Sequence, residues 1–334
     1  MAASDISRLG QDLATGDANA NFLKVWAGEI LATFQEANKF MPLTMSRTIS
    51  TGKSATFPVI GTAAAKWHTP GESVITDADA DSAAYLSKIK VTEREIFIDD
   101  CLVSSVLVDD LDAMKSAWDY RSEYSSAIGR ALAKEADEHI LSTIYAGATA
   151  SANIPGVTAA GKQITDADAD TNVDSLIDSA FTIAQTFDEN DVPSDERYFA
   201  VAPAQYYLLA DKTDLVNRDF TSGNGDFADA SVLKVAGMTI VKTNNFGSGD
   251  LSSTTDSGAK NDVFGGSGVG YNGNWSNIVA LGFHRSAVGT VKMADLSVAT
   301  EYQLERLSTL MLAKYAMGHN YLRPEACALI RTSA

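Results

Sequence analysis

The chain has 334 residues, 45% of them hydrophobic and 21% charged, with a formal net charge of −17 at pH 7. That length and apolar content give two domains, or one elaborated domain, around a sizeable core. The acidic balance excludes a protein that coats DNA or RNA, because neutralising phosphates takes clustered Lys and Arg.

Two cysteines, Cys101 and Cys327, stand in apolar surroundings and read as buried, reduced thiols. The N-terminal MAASDISRLGQDLATGDANAN has no apolar core of a secretory signal. No run approaches the ~18 apolar residues of a membrane span, so no membrane partner is expected.

Residues 1–21 are small and polar and read as an arm ordered by its neighbours. FLKVWAGEILATF (22–34) is a short apolar helix carrying Trp26 and Phe34, and it needs a surface to bury against. Residues 46–98 read as one long hairpin. Its strands are SATFPVIGTAAAKWH (54–68) and YLSKIKVTEREIFI (85–98), where Lys88, Lys90, Thr92 and Arg94 alternate with Ile89, Val91, Glu93 and Glu95. Pro58 puts the first strand at an edge. A two-stranded hairpin is marginal alone, so it is expected to reach onto a neighbouring subunit.

From Asp109 to Gly147, bulky residues recur at Leu111, Met114, Trp118, Tyr124, Ile128, Leu132, Ile140 and Ile144, with Ala136 in the gap. The spacing predicts one amphipathic helix of about 58 Å. Asp109, Asp110 and Asp112 suit its N-terminal dipole and Gly147 its stop. It reads as a spine on which other parts lean at both ends. Gly129 is its interior weak point, and two helices broken there are the alternative.

A Gly/Ala/Ser linker (146–161) leads into an α/β stretch. Val173, Leu176, Ile177, Ala180, Phe181, Ala184 and Phe187 fit a helix capped from Asn172. RYFAVAP (197–203) is a strand, AQYYLLADK starts a helix, and MTIVKT (238–243) and NIVALGF (277–283) are strands. Residues 244–276, dense in Gly, Ser, Asn and Asp, read as a surface loop. The segment 296–318 mixes helical and strand signals and is left unassigned. LRPEACALIR closes the chain with a strand after Pro324.

Chemical motifs are weak. Gly268-Val-Gly270-Tyr-Asn-Gly273 fits G-x-G-x-x-G, but a strand follows it where a dinucleotide site needs a helix. Gly52-Lys53-Ser54 resembles the end of a phosphate loop, yet Arg47 occupies the first glycine position. ITDADAD occurs at 75–81 and 164–170. Calcium-loop spacing puts Ser82 and Lys88, or Thr171 and Ile177, where Gly and Glu are required, so both copies read as solvated acidic turns. His68, His139, His284 and His319 are far apart in sequence, and no G-x-S-x-G is present. The residues describe a non-enzymatic, self-associating α/β protein with long arms, needing no cofactor or metal.

GFHRSAVGTVKMADL (282–296) and AKYAMGHNYLRPEA (313–326) closely resemble the major capsid proteins of short-tailed, autographivirus-type phages. FLKVWAGEILATF (22–34), SRTISTGKSATFPVIG (46–61), the PGE at 70–72 and RSEYSSAIG (121–129) do so as well, in the same order along the chain. Residues 150–275 are placed by position.

The resemblance implies the α+β capsid fold named after phage Hong Kong 97. Its parts would be an N-terminal arm (1–47), an extended loop hairpin (48–98), a P-domain with the spine helix (99–150), an axial A-domain (151–291), a return to the P-domain (292–322) and a C-terminal strand (323–334). It implies a homo-oligomeric icosahedral shell of hexamers and pentamers, assembled in the host cytoplasm around a scaffolding protein. A portal would occupy one vertex, and the shell would expand as it takes up double-stranded DNA without reading its sequence. An acidic inner wall suits DNA that must slide.

On that expectation Lys53, Lys66, Lys88, Lys90 and Arg94 face acidic patches on the next subunit, each exposed ion pair contributing about 0–1 kcal/mol. Trp26, Phe34 and Trp67 are apolar anchors, and Gly129 is where the spine flexes. Two other classes compete: an encapsulin-like compartment, which needs a groove for a cargo peptide, and an enzyme using the α/β domain, which needs a closed catalytic pocket.

Overall fold

The computed structural model describes residues 38–60, 65, 67–68, 70–71, 91–109, 111, 114, 121–152, 159–212, 225–226, 231–232, 234–254, 258–264 and 270–333. In chain order the first strands are β1 (Met45–Thr48), β2 (Ser54–Ile60), β3 (Val91–Phe97) and β4 (Leu102–Asp109). The long helix α1 (Arg121–Thr149) follows, then β5 (Lys162–Thr165), α2 (Val173–Glu189), β6 (Arg197–Val201) and α3 (Pro203–Asp211). Three two-residue strands come next: β7 (Gly225–Asp226), β8 (Ser231–Val232) and β9 (Lys234–Val235). The chain ends with β10 (Met238–Lys242), β11 (Ile278–His284), β12 (Val288–Gln303), β13 (Ser308–Tyr321) and β14 (Cys327–Arg331).

Two sheets share the helix. One has the order β1-β12-β13-β4, the other β5-β14-β11-β6-β10-β9, while among the described residues β2 and β3 pair with each other alone. Along α1, Ile128, Leu132, Ala136, Ile140 and Ile144 are buried as the spacing predicts, together with Asp137, Leu141, Ser142, Thr143, Ala146 and Ala148. Leu111 and Met114 of the same predicted stripe lie before α1 and are 58% and 80% exposed. Ile128, Leu132 and Ala136 pack on Met311, Ala313, Tyr315 and Met317 of β13. Ile140, Leu141, Ile144 and Ala148 enter a larger core with Leu176, Ala180, Ile183 and Phe187 of α2 and with β6, β11 and β14. One helix thus serves both cores, the use its length foretold.

The α/β elements fall where periodicity put them. Asn172 caps α2, its side chain accepting from the Asp174 amide at 3.0 Å. Phe181, included in that helix's apolar set, is turned outward instead.

Four expectations need correction. Asp109 does not open the helix. It is the last residue of β4, paired with Ser308, because LVSSVLVD is rich in β-branched residues and bonds to β13 along its length. Residues 296–318 are neither ambiguous nor helical, since β12 and β13 form one long antiparallel hairpin from Val288↔Tyr321 to Gln303↔Ser308. Cys101 is exposed, and only Cys327 is buried. The segment 244–276 is not a surface loop. Asn245, Ala259, Asn261, Val263, Tyr271 and Trp275 are all buried, and Ala259, Val263 and Tyr271 form a cluster with Ala146 of α1.

The hairpin is a two-stranded antiparallel ribbon with register Ser54↔Phe97 to Ile60↔Val91, Pro58 opposite Glu93. The rest of the predicted strands lies at 61–64, 66, 69 and 72–90, outside the described residues. So do the first ITDADAD and the apolar segment 22–34. In the second copy, Asp166 accepts from the Asp168 amide and the Ser179 hydroxyl, so it works as a turn. No cluster of metal-ligating side chains occurs among the described residues, nor any helix long and apolar enough to cross a membrane.

Candidate functional site

The chemistry of this fold is concentrated where the hairpin leaves the body. Its base is apolar on one side: Ala55 and Ile96 pack with Val291 and Leu322. Two glycines make room there. A β-carbon on Gly289 would stand 2.8 Å from Ile96 Cδ1, and one on Gly318 would overlap the Phe97 carbonyl oxygen.

The other side of the base is polar. Asn261 accepts from the Phe97 amide at 3.0 Å and donates from Nδ2 to the Phe97 carbonyl at 2.7 Å. Two residues on, Asp99 accepts at Oδ1 from the Lys260 amide (2.6 Å) and Asn261 Nδ2 (3.2 Å), and at Oδ2 from the Tyr271 hydroxyl (2.5 Å). The Tyr271 oxygen in turn accepts from the His319 amide at 2.9 Å. Lys260 Nζ reaches Asp100 at 2.8 Å, and the Asp100 amide donates to Gly258 at 2.9 Å.

Burial governs the charges. It pushes the Asp99 carboxyl up, against the pull of the Tyr271 hydroxyl and the Lys260 amide. It also drives the Tyr271 phenol well above its usual value, with the Asp99 charge adding to the effect. His319 is pushed down to about 3, mainly by burial and secondarily by His139. Its Nδ1 lies 3.0 Å from Thr290 Oγ1, while Nε2 is buried without a hydrogen-bond partner among the described residues. Two of the four histidines that the sequence set apart, His139 and His319, meet in space. His139 stacks on Tyr271 with ring centroids 4.3 Å apart, and its centroid is 6.4 Å from that of His319. The group is a hydrogen-bonded anchor and contains no nucleophile with a base and an orienter.

Of the side chains expected to contact a neighbour, Trp67 is 98% exposed. Ile60 and Val91, paired at the far end of the described ribbon, are 63% and 60% exposed. Lys53 is exposed, with Nζ 5.9 Å from the centre of its own Phe97 ring. Arg94 lies over its own Tyr321 ring at 4.4 Å. Gly129 sits inside the unbroken α1, half-buried, so the two-helix alternative fails. Trp26, Phe34, Lys66, Lys88 and Lys90 lie outside the described residues.

Sequence reasoning missed Asp99, Asn261, Tyr271 and the pairing of His139 with His319. Gly289, Gly318 and His319 do lie within the two blocks that carried the resemblance. Asn261 and Tyr271 had no signal, because their loop has the composition of any exposed turn.

A ribbon projecting from a sheet, a long helix crossing beneath that sheet, and an α/β layer at the helix's other end define a phage capsid subunit of the Hong Kong 97 type. The family model described as Gp10A-like major capsid protein matches residues 56–331. The major capsid protein of Enterobacteria phage T3 is 32% identical, over 96% of this chain and 94% of that protein. That of Escherichia phage T7 is 32% identical, over 95% and 93%. The capsid structure of the cyanophage P-SCSP1u superposes with a TM-score of 0.77 at 34% identity, over 98% of both chains. This chain belongs to the Gp10A-like family of major capsid proteins, and its function is to build a homo-oligomeric capsid shell. These relatives do not favour the encapsulin-like alternative.

Proposed function

We propose that the shell is made of hexamers and pentamers in which each hairpin lies across the adjacent subunit. The subunit would divide into the arm 1–47, the hairpin 48–98, the P-domain 99–150 with its return 292–322, the A-domain 151–291 and the closing strand 323–334. The closing strand contains β14, which pairs with β11 and β5 of the A-domain. Trp67 is the main apolar anchor, with Trp26 and Phe34 in the arm. Lys53, Lys66, Lys88, Lys90 and Arg94 supply weak cationic contacts, and their weakness permits correction of errors during assembly. A scaffolding protein guides closure in the host cytoplasm, a portal takes one vertex, and the shell expands around double-stranded DNA held without sequence-specific contacts. The protein has no catalytic role.

The observation that carries this reading is Trp67, a tryptophan 98% exposed, seven residues along the chain from Ile60, where the described ribbon ends. Aromatic side chains dominate interface energetics, and this one buries nothing at home. The test is electron microscopy of the protein made with and without a candidate scaffolding protein. Uniform round shells in the presence of scaffold are expected. A discrete small oligomer under both conditions would overturn the reading.

A further inference from the structure

We infer that Asn261 and Tyr271 are positioning residues that couple the long helix to the hairpin, so that the direction in which the hairpin leaves the subunit follows the helix. The inference rests on the proposed role of the hairpin as a strap between subunits.

The hairpin ladder ends at Ser54↔Phe97, with one further bond from the Ile98 amide to the Lys53 carbonyl. Asn261 then accepts from and donates to the same residue, Phe97, as a peptide unit of a third strand would. Two strands alone are marginal, so this side chain completes the ribbon at its root. Just beyond it the chain passes to β13, the Asp99 amide donating to Met317. The Asp99 carboxylate is held by Tyr271 at that crossing.

The far side of the same loop rests on α1. His139 stacks on the Tyr271 ring with planes 18° apart. Gly273 is seated so closely that a β-carbon would stand 2.6 Å from Tyr145. Ala259 and Val263 pack with Ala146. The apolar cluster at the hairpin base, by contrast, joins Ala55 and Ile96 to Val291 and Leu322 and includes no helix residue among the described ones. A shift of α1 relative to the hairpin must therefore shear the His139–Tyr271 stack or break the Tyr271–Asp99 bond. Tyr271 touches helix and hairpin root with one side chain.

Amide hydrogen exchange on unassembled full-length subunits tests this. Tyr271→Phe keeps the ring stack and removes the hydroxyl, while His139→Ala removes the stack and keeps the hydroxyl. Each is expected to speed exchange of the Phe97 and Ile98 amides about tenfold, since a hydrogen bond to a charged group is lost or loosened. The amides of Leu281 and Phe283 should be unchanged. The double variant should be no faster than Tyr271→Phe alone, because both act through one contact.

His139 does not touch the hairpin, so its effect at Phe97 separates coupling from local support. An effect of His139→Ala confined to α1, or unchanged Phe97 exchange in Tyr271→Phe, would overturn the inference. With scaffold present, Tyr271→Phe is expected to broaden the distribution of shell diameters. Faster hairpin exchange with shells of normal size and yield would leave the coupling standing and remove the strap reading.

Discussion

Gly318 on β13 faces the carbonyl of Phe97 on β3 with no space for a β-carbon between them. The hairpin can lie this close to the sheet only because β13 carries no side chain there. Gly318→Ala must push backbone against backbone, and it is expected to cost about 1–3 kcal/mol while lifting the hairpin root from β13. Gly289→Ala meets side-chain ends, Ile96 Cδ1 at 2.8 Å and the Leu322 methyls at 3.1 and 3.2 Å, and no backbone atom within that range, so its cost should be the smaller. Urea unfolding of unassembled subunits ranks the two, and equal stabilities would show that the hairpin root yields freely.

A second expectation concerns acid. His319 is held down to about 3 by burial, against about 6.5 in an unfolded chain. Between those values the unfolded chain binds a proton that the native protein refuses. Stability is therefore lost as pH falls from about 6.5 to about 3, by up to about 1.4 kcal/mol per unit. Asp99, Asp137, Glu138 and Glu325 are all raised by burial, and they favour the fold as pH falls, so the wild-type slope is a difference. His319→Asn isolates the histidine. Its stability should fall less steeply than that of the wild type between pH 6 and pH 4, measured by urea unfolding, and parallel curves would count against a buried neutral imidazole.

Trp67 separates folding from assembly. With 98% of its surface exposed, Trp67→Ala should change subunit stability by no more than about 0.5 kcal/mol. Shell yield with scaffold should nevertheless fall. Deleting 72–82 should do the same more strongly if the hairpin reaches a neighbour. An unchanged thermal midpoint with unchanged shell yield would remove Trp67 from the interface.

Local pattern and three-dimensional contact divide what the sequence could reveal. Ile128, Leu132, Ala136, Ile140 and Ile144 recur at helical spacing, so the spine was legible, as was Asn172 ahead of Val173. Val288 to Tyr321 was harder, since Tyr315 and Met317 suit a helix or a strand and pairing across the turn at 304–307 settles the matter. The anchor at the hairpin root was not legible. Phe97 and Asn261 are 164 residues apart, and no rule of spacing links an asparagine in a glycine-rich loop to a backbone amide that distant. The resemblance supplied the architecture but not these contacts. It marked Gly289 and Gly318 only as members of matching blocks, without the reason that a side chain there would strike the hairpin.

The last expectation tests the helix itself. Gly129 lies in α1 one residue after Ile128, which is buried against β13, so bending there would swing the helix N-terminal to that contact. Alanine is about 1 kcal/mol more favourable than glycine in a helix interior, and its β-carbon narrows backbone freedom. Gly129→Ala should therefore raise the unfolding midpoint of the subunit slightly. If the helix flexes at this glycine when the shell expands, the variant should form shells of normal diameter with scaffold but convert slowly to the expanded form. Time-resolved electron microscopy of purified shells reads both steps. Expansion at the wild-type rate would place the flexing elsewhere, and the Tyr271–His139 contact would become the first alternative, since it lies between α1 and the hairpin root.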